Sequence, residues 1–135
     1  HVLAIRLMEK AGWLKIDCYM DEAKIENYDA CIFPGGTWNP DFLRADKDAQ
    51  NFVRNMLHSG KPTCAICHGQ WVMVSTDILR GRKATAVWNI HPDLANAGAT
   101  VPDEPCVVDG NLITARFPYD LPRMTAALVT QLLKK

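Results

Sequence analysis

Two cysteines three residues apart, Cys64 and Cys67, with a histidine directly after the second, His68, and a glycine after that, form the densest cluster of reactive side chains in the sequence. The apolar run Thr63-Cys64-Ala65-Ile66 reads as a buried strand, and it breaks at Cys67-His68-Gly69 into a helical pattern over residues 70–79. A nucleophile on a strand-to-helix turn is pushed out of the sheet with its side chain exposed, and the following glycine leaves room for the bend. The start of a helix also favours thiolate over thiol, so the position suits an accessible, acidic cysteine. Read without that context, Cys67 is a small hydrophobe of the core.

The C-x-x-C spacing raises two other chemistries, a redox dithiol and half of a zinc site. In a redox pair the first cysteine stands at the exposed turn, whereas here Cys64 falls inside the strand. No second ligand pair has zinc spacing. Cys18, Cys31 and Cys106 lie in apolar or strand-like runs and read, with Cys64, as core thiols. Five cysteines without a scaffold spacing read as reduced. Neither a metal nor an organic cofactor is implied.

The rest of the sequence supplies the elements that must position this cluster. Ala30-Cys31-Ile32-Phe33 reads as a second buried strand running into Pro34-Gly35-Gly36, whose loop can bring backbone close to a ligand. Asp46 caps a helix with the buried stripe Ala49, Phe52, Val53, Met56 and Leu57, stopped at Gly60-Lys61-Pro62. Upstream, Val2, Leu3, Leu7 and Met8 recur at helical spacing up to Ala11-Gly12, and residues 13–19 read as a strand. Downstream come a short strand over 83–87, a short helix over 92–97 closed by Gly98, a hairpin around Asp109-Gly110, and a final helix over 121–133 capped by Asp120. Strands alternating with helices imply an α/β fold whose sheet is mainly parallel, with ligands bound beyond the carboxyl ends of the strands.

Composition bounds the function. At 135 residues the chain has room for one domain. It is 48% hydrophobic and 22% charged, with 15 basic residues against 15 acidic ones and no concentration of either sign. Such a balance offers no footprint for nucleic acid or a membrane surface, and no apolar run has the length of a membrane helix. A cytoplasmic protein acting on a small neutral or carbonyl substrate is the expectation.

Five ordered motifs carry a family resemblance: Pro34-Gly35-Gly36 followed by Asn39-Pro40-Asp41-x-Leu43-Arg44; Ala65-Ile66-Cys67-His68-Gly69; residues 79–85; Asn96-Ala97-Gly98-Ala99; and Val107-Val108-Asp109-Gly110-Asn111. Together they resemble the PfpI/ThiJ superfamily in its PfpI, or intracellular protease I, branch, from about Tyr28 to the C-terminus. The resemblance implies a flavodoxin-like three-layer sandwich related to class I glutamine amidotransferases. It implies Cys67 as nucleophile, His68 as its histidine, and Asp41 as the acid that orients the histidine from a neighbouring subunit, so that the site needs a dimer or hexamer. It also implies an oxyanion hole made by the backbone N–H groups of Gly36 and His68, with glycine at 36 permitting close approach.

The family begins with a strand and a helix-borne glutamate that hydrogen-bonds the cysteine; the present sequence opens beyond that point. The expectation is therefore one domain over residues 1–135 without the first strand and part of the first helix. Gln70 stands where the family commonly has proline, and Asp41 read alone could simply cap the turn after Pro40. His91 sits close to a place where some members carry a functional histidine, but Val87 and Trp88 fall nearer to it. The activity implied is attack on a carbonyl, either peptide or amide hydrolysis or α-oxoaldehyde (glyoxalase or deglycase) chemistry. The alternative is a non-catalytic stress protein that uses an oxidisable cysteine as a sensor or chaperone.

Overall fold

The computed structural model describes residues 1–6 and 9–134. Its centre is a four-stranded mixed sheet built from β3 (Cys31–Phe33), β4 (Thr63–Ile66), β5 (Cys106–Asp109) and β6 (Leu112–Ala115), in the order β3-β4-β6-β5. The first three strands in that order run parallel; β5 is antiparallel to β6. This is the α/β architecture expected, with one antiparallel edge supplied by the Asp-Gly hairpin.

Side chains alternate across the sheet, and the two faces bury different partners. Phe33, Ala65 and Leu112 face a core made with Val53 and Leu57 of α2 (Lys47–His58), Val72 and Met73 of α3 (Trp71–Val74), and Leu94 of α4 (His91–Asn96). Cys64, Ile66, Ile113 and Ala115 face Met124 of α5 (Leu121–Leu132). All four residues of β4 are buried, which places the turn that follows it at the middle of the sheet.

The caps follow local chemistry where the sequence carried it. Asp46 Oδ1 accepts from the N–H of Asp48 at 2.8 Å and of Ala49 at 3.2 Å, starting α2. Gly110, at φ +60°, turns β5 into β6. Asp120 behaves differently from the expectation: its carboxylate does not cap α5 but accepts from Arg116 Nε at 3.2 Å, while Arg116 Nη1 reaches Asp103 at 2.8 Å.

Three other expectations are corrected. The helix read over the N-terminal residues is a hairpin of β1 (Val2–Arg6) and β2 (Glu9–Leu14), a separate two-stranded sheet; Leu7 and Met8 lie outside the described residues. Gly12 does not end a helix but sits at φ +136° within β2, opposite Ala4 beside a register shift, and residues 15–19 are not a strand. The segment 83–87 holds a single bridge, Lys83 to Thr100, and no regular strand. Conversely, the segment after Gly36 forms a helix, α1 (Trp38–Ala45), that the sequence pattern did not announce.

Candidate active site

Cys67 leaves the carboxyl end of β4 with φ +65°, the one non-glycine with positive φ among the described residues. A residue other than glycine in this region costs about 1–3 kcal/mol and persists only where neighbours enforce it. The neighbours are identifiable. Cys67 N–H donates to Ala115 O at 3.0 Å, Val87 N–H donates to Cys67 O at 3.3 Å, and Gly69 N–H closes the turn on Ile66 O at 2.9 Å.

Gln70 braces the turn from beneath. It is fully buried, and its Nε2 is placed against three carbonyls: Ala65 at 3.1 Å, Thr85 at 2.7 Å and Ala115 at 3.1 Å. The end of β4, the end of β6 and the 83–87 segment therefore meet on one amide. Where the resembling family commonly has proline, this chain has a three-way clamp.

Two glycines make the packing possible: Gly69, where the sequence calls for room at the bend, and Gly35, whereas the resemblance assigns close approach to Gly36. A Cβ on Gly35 would lie 2.6 Å from Cys67 Cβ and 3.2 Å from its sulfur; one on Gly69 would lie 2.3 Å from Phe33 O. Close approach to the cysteine thus belongs to Gly35. Gly36 faces open space and is needed for its φ of +77°.

Cys67 is half-buried, and its sulfur lies 3.3 Å from Nδ1 of His68. Asn89 Nδ2 stands 3.4 Å from the other ring nitrogen, Nε2. The indole of Trp71 meets the imidazole edge to face at a centroid distance of 5.1 Å, and is itself held by Asp93 Oδ2 at 2.7 Å from Nε1 and by the guanidinium of Arg44 over its ring. Partial burial lowers the His68 pKa from its ordinary value, which favours the neutral ring. Among the described residues, no backbone carbonyl takes the N–H of Gly36 or of His68.

The helix-dipole argument does not carry over to the structure. The helix after the turn is α3, one turn long, and it begins at Trp71, four residues beyond the sulfur. What singles out Cys67 is backbone geometry and an adjacent imidazole.

The other thiols fit a different description. Burial pushes Cys64 up to about 12 and Cys31 up to about 11, and raises Cys106 as well, so these three are held as thiols at neutral pH. Cys18 departs from the core reading: it is exposed, with its sulfur 3.4 Å from Tyr28 Oη. All five are free, which leaves the C-x-x-C pair unbridged.

Asp41 lies exposed in the first turn of α1, and no hydrogen bond joins it to His68 within the chain. His91 is spent on structure, its Nε2 2.8 Å from Ala86 O. Asn89 was not anticipated; its contact with His68 spans 21 positions and has no local signature. Two cavities of about 310 and 270 Å³ lie beside Phe52, between α2 and residues 18–31, and neither is lined by Cys67 or His68. Among the described residues, no three His, Cys, Asp or Glu side chains are grouped as a metal site would require.

Comparison with known proteins gives a consistent picture. A model of the DJ-1/PfpI family matches residues 8–131. An uncharacterized protein of Staphylococcus aureus is 45% identical over 119 residues, covering 87% of this chain and 69% of the relative. A two-domain protein of Anabaena variabilis, containing DJ-1/ThiJ/PfpI-like and ferritin-like domains, is 42% identical with a TM-score of 0.81, over 84% of this chain and 32% of that longer one. The structure of a ThiJ/PfpI domain protein from Brachyspira murdochii is similar with a TM-score of 0.85 at 25% identity, over 92% of this chain and 71% of that one.

Proposed function

The chain belongs to the DJ-1/PfpI family, and from that membership and the geometry at Cys67 we propose that it is a cysteine-dependent enzyme acting on carbonyl compounds. The observation that carries the reading is the strained Cys67, φ +65°, with an imidazole nitrogen 3.3 Å from its sulfur. Strain of this kind is retained where a side chain must be presented rather than buried.

In this reading His68 Nδ1 takes the thiol proton and the sulfur attacks a carbonyl carbon, forming an S–C bond as the π pair moves to oxygen. The N–H groups of Gly36 and His68 receive that oxyanion, a contribution of about 3 kcal/mol per donor in well-studied hydrolases; their freedom from backbone partners supports the assignment. An acid from a second copy, Asp41, completes the orientation of His68, which makes the working form a homo-oligomer with its site at a subunit interface. Exposure of Asp41 on α1 is compatible with that role.

We favour a small α-oxoaldehyde, or its adduct on a protein, over a polypeptide. Addition to an aldehyde makes one bond and breaks only the carbonyl π bond, whereas amide hydrolysis must also cleave C–N and deliver a proton to the leaving nitrogen. No described helix is long and apolar enough to cross a membrane, and we assign the protein to the cytoplasm in a stress-response role.

The test is methylglyoxal consumption and peptide cleavage by the wild type, Cys67→Ser and His68→Ala. Loss of methylglyoxal turnover in both variants supports the proposal; loss of peptide cleavage alone moves the substrate to amides. A wild type that turns over neither, yet loses its reactive thiol to peroxide at Cys67, overturns catalysis in favour of an oxidation sensor.

A further inference from the structure

We propose that Asn89 is a positioning residue for His68, holding the imidazole from within the same chain so that Nδ1 faces the Cys67 sulfur. The inference rests on the reading of Cys67 and His68 as nucleophile and base. It starts from geometry: the ring has two nitrogens, one 3.3 Å from the sulfur and the other 3.4 Å from the Asn89 amide. A side chain next in sequence to the nucleophile cannot fix its own ring rotation, so a group on Nε2 is what defines which nitrogen meets the sulfur.

Asn89 is well placed to be that group because its backbone travels with the nucleophile. It lies in a single 3-10 turn, Trp88–Ile90. Val87, just before that turn, donates to the carbonyl of Cys67 itself. Val87 and Ile90 are buried, which anchors the turn on both sides while the Asn89 side chain stays at the surface. Trp71 packs against the ring edge to face, and two charged groups, Asp93 and Arg44, both hold Trp71.

An amide has a property that a carboxylate lacks. The amide can meet Nε2 by either end: with Nδ2 toward Nε2 the ring hydrogen sits on Nδ1 and points at the sulfur. For Nδ1 to take the thiol proton the ring hydrogen must be on Nε2, and with Oδ1 turned toward Nε2 the amide accepts it. Asn89 can therefore pair with either neutral tautomer of the ring, and with Oδ1 on Nε2–H it keeps that bond as Nδ1 takes the proton. A carboxylate can pair only with the protonated Nε2.

The experiment measures two things in the wild type, Asn89→Ala, Asn89→Asp and Asp41→Asn. Long-range ¹H–¹⁵N NMR reads the His68 tautomer, and iodoacetamide reads the alkylation rate of Cys67 by peptide mapping at pH 7. Asn89→Ala should mix the tautomers and slow Cys67 about tenfold, a part of the roughly 100- to 10,000-fold that a general base contributes. Asn89→Asp should fix the ring hydrogen on Nε2 and restore most of the rate. Unchanged tautomer and rate in Asn89→Ala overturns the proposal, as does a loss confined to Asp41→Asn, which would leave the orientation of His68 to the partner alone. If Cys67 alkylation in the wild type is insensitive to His68→Ala, the nucleophile–base reading fails first, a result distinct from either of those.

Discussion

Replacing Gly35 by alanine tests whether the position of Cys67, rather than its identity alone, governs reactivity. The added carbon would stand 2.6 Å from Cys67 Cβ, 3.0 Å from Ile66 O and 3.2 Å from the sulfur. Carbon atoms in contact settle at about 3.5–4.0 Å, so the cysteine or the Gly35 loop must retreat by about 1 Å. Ile66 O cannot yield, because it accepts from Gly69 N–H at 2.9 Å and closes the turn. Overpacking at such a site costs about 1–3 kcal/mol of stability, and a 1 Å misplacement of a reacting group costs about 100-fold in rate. Urea unfolding and Cys67-dependent turnover should therefore both change, with the rate falling far more steeply than stability alone accounts for. Gly60→Ala is the control: Gly60 ends α2 at φ +77° with nothing within 4 Å of an added Cβ, so it should lose about 1 kcal/mol and no activity. A Gly35→Ala protein with wild-type turnover would refute the claim that the loop sets the sulfur.

Gln70→Leu keeps the volume but removes the donor shared by three buried carbonyls, and is expected to lower stability by about 2–4 kcal/mol, read as a lower urea midpoint with an unchanged m-value. The pH response follows from His68. Its folded pKa lies below the unfolded value of about 6.5, so the unfolded chain binds more protons between the two. The stability it contributes is complete above pH 6.5 and declines as pH falls through the folded pKa; because the ring is partly exposed the decline is small. Activity that needs the neutral ring should persist below pH 6.5 before falling, and a profile that falls above that pH would contradict the burial argument.

Much of this site was legible in the residues because its elements are set locally. The β4 run, Asp46 before its apolar stripe and the Asp-Gly hairpin each carry a short-range signal that packing did not overrule. The N-terminal hairpin was not legible: Val2, Leu3 and Ile5 fit either periodicity, and the choice was made by pairing with residues 9–14. Helix α1 hid behind a Pro-Gly-Gly turn and an internal proline, Pro40, which is tolerated there because it falls in the first turn, where no helical hydrogen bond is lost. The roles of Gly35 and Asn89 depend on contacts across 32 and 21 positions, which only the folded sheet brings together. Gln70 read as a mere departure from proline until its three carbonyls were in place.

The most direct measurement is the relative alkylation rate of the five cysteines in the folded protein at pH 7, resolved by peptide mapping, in the wild type and in His68→Ala. Cys67 should be modified fastest, ahead of the exposed Cys18, with Cys31 and Cys64 protected, and His68→Ala should slow Cys67 while leaving Cys18 untouched. Modification of Cys18 ahead of Cys67, at a Cys67 rate that His68→Ala does not alter, would contradict the account.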